Sequence, residues 1–542
     1  MNQSVFSKTI MEQKYSHTLD DGSKETWDNI AYRVTKHVMR ALGITMRDTL
    51  AQNIKKAISE RKFMPGGRYL YASGRQYHQV NNCALYRASD SREGWAKLVH
   101  NTAMSLMSGA GIGIDYSGVR EEGALIRKTG GLATGPLALM QIVNEQGRFI
   151  MQGGARRSAI WAGLKWNHPD IHKFIRVKNW IDVVRKQKEV DFNFPATLDG
   201  TNISVLLDDD FFAAYDKHDS LANSVYWAVI EQMLSTAEPG FSIDTGKNRN
   251  ETLRNACTEI VTEDDSDICN LGSINLARVD TLEEFRQLVE LGITFLLAGT
   301  IYSDVPHPEI DAIRTKNRRL GLGLMGVHEW LLKRGRKYGP DRELGEWLKI
   351  YADSTDVSHR IAKQHKLTPP VKTRAIAPTG TIGIVAETTT GIEPVFCVAF
   401  KRRYLKHQTW HYQYVIDPTA KRLIDAGVKP ESIEDAYSID TETRVGFQAW
   451  AQQYVDHAIS STINLPAWGS EANNSSTIKQ FGDMLIKYLP NLRGITCYPD
   501  GCRGGQPLTP VKYLTAMKHV GVELVEESMD VCELTKGGTC GA

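Results

Sequence analysis

Asn255-Ala256-Cys257-Thr258-Glu259, followed ten residues later by Cys269-Asn270-Leu271-Gly272-Ser273-Ile274-Asn275-Leu276, is the stretch on which the reading of this chain turns. In an extended loop, residues two apart point the same way, so Asn255, Cys257 and Glu259 would present an amide, a thiol and a carboxylate on one side. That is a reacting face. Taken alone, the same five residues also describe a strand edge with a buried thiol, and short motifs of this kind recur by chance.

Outward from this stretch, the N-terminal 65 residues read as helical: Trp27, Ile30, Val34 and Val38 recur at helical spacing and Gly43 closes the pattern. From Met64-Pro65-Gly66-Gly67-Arg68 the texture changes to short apolar runs broken by glycine, continuing through Gly109-Ala110-Gly111-Ile112-Gly113, which points to a large α/β body. Asp90-Ser91 precedes a helical stretch containing Trp95, Leu98 and Val99, where its oxygens suit an N-cap. A second helix is expected near 137–151. Glycines and prolines in Gly501-Cys502-Arg503-Gly504-Gly505-Gln506-Pro507-Leu508-Thr509-Pro510 read as a hinge before a mobile C-terminal segment.

The 65 basic and 63 acidic residues give a net charge of +2, so no long-range field for a nucleic acid is implied and phosphate recognition must be local. The longest apolar run, Leu291 to Tyr302, is too short for a bilayer core of about 30 Å, and Met1-Asn2-Gln3-Ser4 lacks a secretory pattern, so no membrane association and a cytoplasmic location are expected. Eight cysteines in 542 residues are too few for a disulfide scaffold. Each therefore needs its own explanation: Cys83, Cys257, Cys269, Cys397, Cys497, Cys502, Cys532 and Cys540.

The N-x-C-x-E and C-N-L-G-S-I-N-L pair resembles the active-site finger loop and following strand of ribonucleotide reductase catalytic subunits. Further motifs similar to that family lie in order: Asn82-Cys83 after Gly66-Gly67-Arg68, Gly109 to Gly113, Gly153-Gly154-Ala155-Arg156-Arg157, and Arg319-Leu320-Gly321-Leu322-Gly323-Leu324-Met325-Gly326. Ala377-Pro378-Thr379-Gly380-Thr381-Ile382-Gly383, Thr390-Gly391-Ile392-Glu393-Pro394, Thr462-Ile463-Asn464-Leu465-Pro466 and Gly494-Ile495-Thr496-Cys497-Tyr498 follow, so the resemblance spans roughly 63 to 503. It implies a ten-stranded α/β barrel with a central finger loop over 66–503, after a small helical segment (1–65) and before a flexible redox tail (504–542). It also implies thiyl-radical reduction of ribonucleotides to deoxyribonucleotides for DNA precursor synthesis, under allosteric control. Cys257 resembles the thiyl position, flanked by Asn255 and Glu259 as partners of the substrate hydroxyls, while Cys83 and Cys269 resemble the electron-donating dithiol. Reducing a ribose takes two electrons, which two adjacent thiols can give by forming a disulfide.

Pro378, Thr379, Gly380, Thr381 and Ile382 resemble the loop that holds the substrate phosphates; glycine lets backbone N–H groups approach an anion, although such a turn is also common without one. Asp90 stands where the family contacts the ribose of a dNTP or ATP effector, and Arg156 and Arg157 lie in the loop that relays effector identity. The family's effector site sits between subunits, which implies a homodimer. Cys532 and Cys540, beyond the hinge, resemble a swinging dithiol reset by a thioredoxin or glutaredoxin-like reductant, although their spacing is wider than the family's usual pairs. A zinc site built from Cys497, Cys502, Cys532 and Cys540 is the competing reading, and neither pair has the short C-x₂₋₄-C spacing combined with a second knuckle. No metal ligand set is expected.

The radical source divides the family. Thr496-Cys497-Tyr498-Pro499-Asp500-Gly501 has one tyrosine followed by proline, which resembles the adenosylcobalamin-dependent class rather than the class that passes a radical from a ferritin-like metal subunit through adjacent tyrosines. Adenosylcobalamin is the expected cofactor; the alternative is no bound cofactor and a radical from a dimetal partner. With about sixty residues before Gly66-Gly67-Arg68, no N-terminal ATP cone is expected. A nucleotide-binding regulator that kept the fold is the non-enzymatic alternative, set against the intact set of Cys83, Asn255, Cys257, Glu259 and Cys269.

Overall fold

The computed structural model describes residues 3–152, 157–191, 193–406, 409–502, 508–520 and 522–525. Trp27, Ile30, Val34 and Val38 are all buried along the helix Trp27–Met39, whose first turn Thr26 caps by accepting the Asn29 amide N–H. Helices Val5–Lys14 and Thr49–Ser59 complete the N-terminal segment, and Gly43 turns the chain at a φ of 72°. The segment is not a detached cap, because its buried side chains share one core with Phe63, Ile274, Leu296 and Leu322. Ser91 rather than Asp90 caps the helix Arg92–Ser108, accepting the Gly94 N–H at 2.9 Å, and the next expected helix runs Gly135–Phe149.

Between helices the chain lays down β1 (Phe63–Pro65), β2 (Cys83–Arg87), β3 (Gly111–Asp115), β4 (Ile160–Lys165), β5 (Thr201–Leu207) and β6 (Gly240–Ile243). A short hairpin follows, β7 (Leu253–Arg254) with β8 (Val261–Thr262), then β9 (Asp267–Asn275) and β10 (Leu320–Met325). The remaining strands are β11 (Ala399–Lys406), β12 (Thr409–Ile416), β13 (Thr462–Leu465), β14 (Gly494–Pro499), β15 (Leu508–Pro510) and β16 (Glu523–Val525).

Strands β2 to β6 lie side by side and parallel. Antiparallel neighbours flank them, β9 on β2 and β14 on β6, and β10 and β13 extend these parallel to β9 and β14. One short segment joins the two outer pairs: Arg374 bridges to Leu322 of β10, and Ile376 bridges to Ile459, just before β13. The Ala375 N–H donates to the Leu322 carbonyl at 3.0 Å and the Ser460 N–H to the Ile376 carbonyl at 2.9 Å. The ring closes with five staves in each direction, β2 to β6 one way and β9, β10, residues 374–376, β13 and β14 the other. This is a ten-stranded α/β barrel, with β1 added to β9 at its edge. Both faces of its strands are covered, which is why β3, β9 and β10 read as unbroken buried runs.

Hairpin β7–β8 connects the two half-barrels in sequence and packs against β2, β3 and β4. Gly113 leaves room for it, since a Cβ there would lie 1.7 Å from the Arg254 carbonyl oxygen. A small core of Cys83, Leu85, Leu253, Ala256, Ile260, Cys269, Leu271, Ala375 and Ala377 forms around the hairpin, separate from the two outer cores.

Of the tail expected from 504 onward, residues 508–520 and 522–525 are described, and they carry secondary structure. β15 and β16 add to the β11–β12 hairpin to give a four-stranded sheet in the order β15-β11-β12-β16, and the helix Tyr513–His519, with Ala516 buried, packs on β12. Main-chain pairing to an open hairpin edge outweighs the turn-forming composition of this stretch. Residues 526–542, with Cys532 and Cys540, lie outside the described residues. Apolar residues 291–299 end the largely buried helix Leu282–Gly299, and among the described residues no helix is long and apolar enough to cross a membrane.

Candidate active site

The Asn255–Glu259 stretch is a hairpin turn rather than an extended loop. The Thr258 N–H donates to the Asn255 carbonyl at 2.9 Å, Thr258 takes a φ of 67°, and the Asn255 Oδ1 accepts the Ile260 N–H at 3.0 Å. Asn255 and Glu259 are therefore buried, while Cys257 at the tip is exposed, so the three do not share one outward face. The Asn202 side-chain amide of β5 donates to the Ala256 carbonyl at 3.1 Å and holds the tip in place.

Cys83 opens β2 and stands directly opposite Cys269 of β9, with the Asn82 N–H donating to the Cys269 carbonyl at 2.8 Å. Both are buried thiols. Asn255 joins the pair to the finger, its Nδ2 donating to the Cys83 sulfur at 3.7 Å. Hydrogen bonding from Cys269 and from Asn255 draws the Cys83 thiol below its ordinary range against the cost of burial, whereas burial pushes Cys269 well above it. The pair thus holds one proton more loosely than the other. Burial also pushes the Glu259 carboxyl up to about 7, and its Oε2 makes no hydrogen bond within the protein. A carboxylate with an unpartnered oxygen and a pKa near neutrality has the chemistry to take a proton at that atom, although Glu259, like Asn255, Cys83 and Cys269, lies behind the lining of the cavity at Cys257.

Cys257 opens onto a cavity of about 670 Å³ that also meets Asn202, Ser204, Pro378, Gly380, Thr381, Thr462 and Tyr498. The helix Gly380–Ala386 points its N-terminus at this space, and a Cβ on Gly380 would meet nothing within 4 Å. Unpaired N–H groups of a first helical turn attract an anion. Of the five residues read as a phosphate loop, Pro378, Gly380 and Thr381 line the cavity. Thr379 instead accepts the Gly391 N–H through Oγ1 at 2.9 Å, in a left-handed conformation, and Ile382 packs into an outer core, so these two shape the loop rather than line it.

Asp90, freed from capping, forms an ion pair with Arg120 at 2.8 Å on the surface. Arg157 is exposed and its Nη2 reaches Asn193 Oδ1 at 3.4 Å; Arg156 lies outside the described residues. Neither Asp90 nor Arg157 lines the cavity at Cys257. Cys497 is buried in β14, and among the described residues no group of three or more His, Cys, Asp or Glu could hold a metal ion.

Sequence reading missed Asn202 and Ser204, whose alternation along β5 was the available signal. Thr390–Pro394 and Thr462–Pro466 are motifs to which the sequence alone assigns no role. The fold brings them together: Glu393 accepts the Thr462 N–H at 2.6 Å and pairs with buried Arg444 at 2.9 Å, which in turn reaches Asn464.

A family model described as the ribonucleotide reductase barrel domain matches residues 81–226, 215–373 and 371–498. The chain is 28% identical over 523 residues to a vitamin B12-dependent ribonucleoside-diphosphate reductase of Thermoplasma acidophilum, covering 84% of this chain and 66% of that protein. It is 26% identical over 534 residues to the protein of that name from Mycobacterium tuberculosis, covering 85% and 73% of the two chains. It is also 26% identical over 543 residues to a putative adenosylcobalamin-dependent ribonucleoside-triphosphate reductase of Mycobacterium phage D29, covering 83% and 75%. The chain thus spans about two thirds of the length of the first of these relatives.

Proposed function

The chain belongs to the ribonucleotide reductase family, whose barrel domain accounts for most of it, and on that premise we propose that it is a catalytic subunit reducing ribonucleotides with a radical drawn from adenosylcobalamin. The observation that carries the reading is the finger: a thiol open to a cavity at its tip, a buried carboxylate with a vacant oxygen beside it, and two facing thiols at its base.

Cys257 is exposed to the cavity, so a radical can be delivered to its sulfur by direct contact. Phe396, Phe400, Val415 and Leu508 form an apolar part of the same wall and would hold the cofactor, and Tyr498 followed by Pro499 offers no pair of adjacent tyrosines for long-range transfer. When bound, adenosylcobalamin supplies the one-electron oxidation that leaves a radical on the Cys257 sulfur.

The Cys257 thiyl then removes the 3′ hydrogen of the ribose and Glu259 Oε2 takes the 3′-hydroxyl proton. The 2′-hydroxyl leaves as water with a proton from the Cys83 and Cys269 pair. Those two thiols give two electrons, the second of their hydrogens goes to C2′ and they end as a disulfide, while Glu259 returns the proton to the 3′ oxygen and Cys257 returns the 3′ hydrogen. A thioredoxin or glutaredoxin-like dithiol protein resets the disulfide by way of Cys532 and Cys540. The substrate phosphates rest on the N-terminus of Gly380–Ala386, and a nucleoside triphosphate effector binds at Asp90 and Arg120 with Arg157 in the relaying loop. Purified chain given adenosylcobalamin, a dithiol reductant and ribonucleoside di- or triphosphates should form deoxyribonucleotides. No product from either substrate class defeats the reading, and product only after adding a ferritin-like metal subunit reassigns the radical source.

Glu259 acts as its carboxylate, and its pKa of about 7 means that the working form is lost as pH falls through neutrality. kcat/KM should therefore rise with pH along an acid limb centred near 7, and Glu259→Gln should abolish the limb and cost about 10²- to 10⁴-fold in kcat. A pH-rate profile with its limb near 4.5 would remove Glu259 from this role.

The helices Arg92–Ser108 and Gly135–Phe149 pack together and expose Met104 with Met107, and Ile142 with Phe149, spacings that keep each pair on one helix face. A second copy of the chain covers this face in a homodimer, beside Asp90 and the relaying loop. Phe149→Asp combined with Met107→Asp should yield a monomer by sedimentation velocity and abolish the effector's influence on substrate choice while basal turnover persists. An unchanged dimer places the interface elsewhere.

A further inference from the structure

The finger that carries Cys257 is anchored by a cluster of buried charges at its root. Arg254, the last residue before Asn255, is wholly buried; its guanidinium donates to the carbonyls of Glu251, Leu253 and, at 2.9 Å, Ile243 at the end of β6. The same Ile243 carbonyl accepts Arg493 Nε at 3.1 Å, from the residue just before β14. Arg493 also pairs with the Glu251 carboxylate at 2.9 Å. Lys372, next to the 374–376 stave, pairs with that carboxylate too, at 2.6 Å, and donates to the Asp456 carbonyl at 2.7 Å. Glu251 thus receives one cation from each of two segments of the second half-barrel, while standing two residues from β7. On the other strand of the finger, Ala458 donates its N–H to the Glu259 carbonyl at 2.8 Å and Val261 donates to His457 Nδ1 at 3.2 Å.

Burying this many charges is costly, and a hydrophobic plug of the same volume would hold a turn as well. Charges differ in being directional: they fix a position rather than merely fill space. None of these residues lines the cavity at Cys257; they lie behind the finger, at its root. We propose that Glu251, with Lys372 and Arg493, is a positioning cluster that sets the height of the finger and hence the reach of the Cys257 sulfur. The assignment rests on the reductase reading for its kinetic consequence but not for its structural one.

The groups facing the Lys372 ammonium are Glu251 and Asn248 at the finger root, Arg493 before β14, and Asp456 and His457 in the loop before Ile459. Burial pulls Lys372 down to about 8, with Glu251 opposing and Arg493 reinforcing the shift. Burial resists the charge on Glu251, but Lys372 and Arg493 outweigh it and hold the carboxyl low. Above pH 8 the cluster loses the Lys372 charge and its hold on Glu251 weakens.

Glu251→Gln tests this. Its kcat should fall on the order of a hundredfold, as a displacement of about an ångström does, with KM for the nucleotide within about twofold. Amide hydrogen exchange across residues 252–262 and iodoacetamide alkylation of Cys257, both read by mass spectrometry, should speed up in the same variant. Lys372→Arg, which keeps its charge at high pH, should keep exchange slow above pH 8 and shift the alkaline loss of both finger protection and kcat upward. Unchanged exchange, alkylation and kcat in Glu251→Gln overturn the proposal, and so does an alkaline limb that Lys372→Arg leaves in place; the latter decides alone if Glu251→Gln does not fold. Should the wild-type chain reduce no ribonucleotide, the reductase reading fails, while exchange and alkylation still decide whether the cluster holds the finger.

Discussion

The Cys257→Ser variant is expected to fold, to bind ribonucleotide with an affinity close to that of the wild type, and to turn over at less than about 10⁻⁴ of its rate. Cys257 is exposed at the finger tip, so exchanging sulfur for oxygen removes no core packing and should shift stability by no more than about 0.5 kcal/mol. The loss falls on chemistry alone. A serine hydroxyl holds its hydrogen too tightly to be converted to a radical under conditions that oxidise a thiol, so the 3′ hydrogen of the ribose is never removed. Equilibrium binding of the nucleotide, measured beside deoxyribonucleotide formation, separates the two effects. Turnover within about tenfold of the wild type would show that the reaction does not pass through this sulfur.

The second large effect comes from a residue with no functional group. Gly113→Ala places a methyl where the Arg254 carbonyl oxygen lies 1.7 Å away, with the Arg254 carbonyl carbon at 2.8 Å and the Asn255 Cα at 3.2 Å. All three are backbone atoms, so no flexible side chain can yield. Gly113 does not need a left-handed conformation, and β3 can carry an alanine. The finger must therefore move away by more than an ångström. A shift of that size costs about 10²-fold in rate, and the strain of overpacking costs about 1–3 kcal/mol in stability. Gly131→Ala, where a Cβ meets nothing within 4 Å and the backbone is not left-handed, should match the wild type in thermal stability. A Gly113→Ala enzyme with full activity would mean that the hairpin does not sit against β3 during catalysis.

Much of the site was legible because its residues are close in sequence and chemically unusual. Asn255, Cys257 and Glu259 stand out in any reading, and Cys269 follows within one strand. Their arrangement was not legible: a hairpin turn tied by the Asn255 side chain buries two of the three, whereas alternation along an extended chain would have exposed them together. The same limit explains the stretch read as a phosphate loop, where Thr379 and Ile382 resemble their neighbours in sequence and yet face inward. Asp90 looked like a helix cap because oxygen chemistry alone does not separate it from Ser91; only Arg120, thirty residues on, decides which of them caps. The barrel was named by resemblance rather than by pattern. Two of its staves rest partly on single bridges at Arg374, Ile376 and Ile459, too short for alternation to register. Pairing of β15 and β16 with an open hairpin edge is a tertiary event that glycine and proline content does not forecast.

Those few bridges have a further consequence. Although its bridges are short, the stave at 372–376 is hydrogen-bonded through its backbone to Leu320 and Leu322 on one side and to residues 457–460 on the other, so it moves with both neighbours rather than apart from them. The helix Gly380–Ala386 begins only four residues beyond that stave and borders the cavity. Lys372 and residues 457–458 also hold the finger, so any displacement of this stave is passed both to the helix that begins at Gly380 and to the hairpin that carries Cys257.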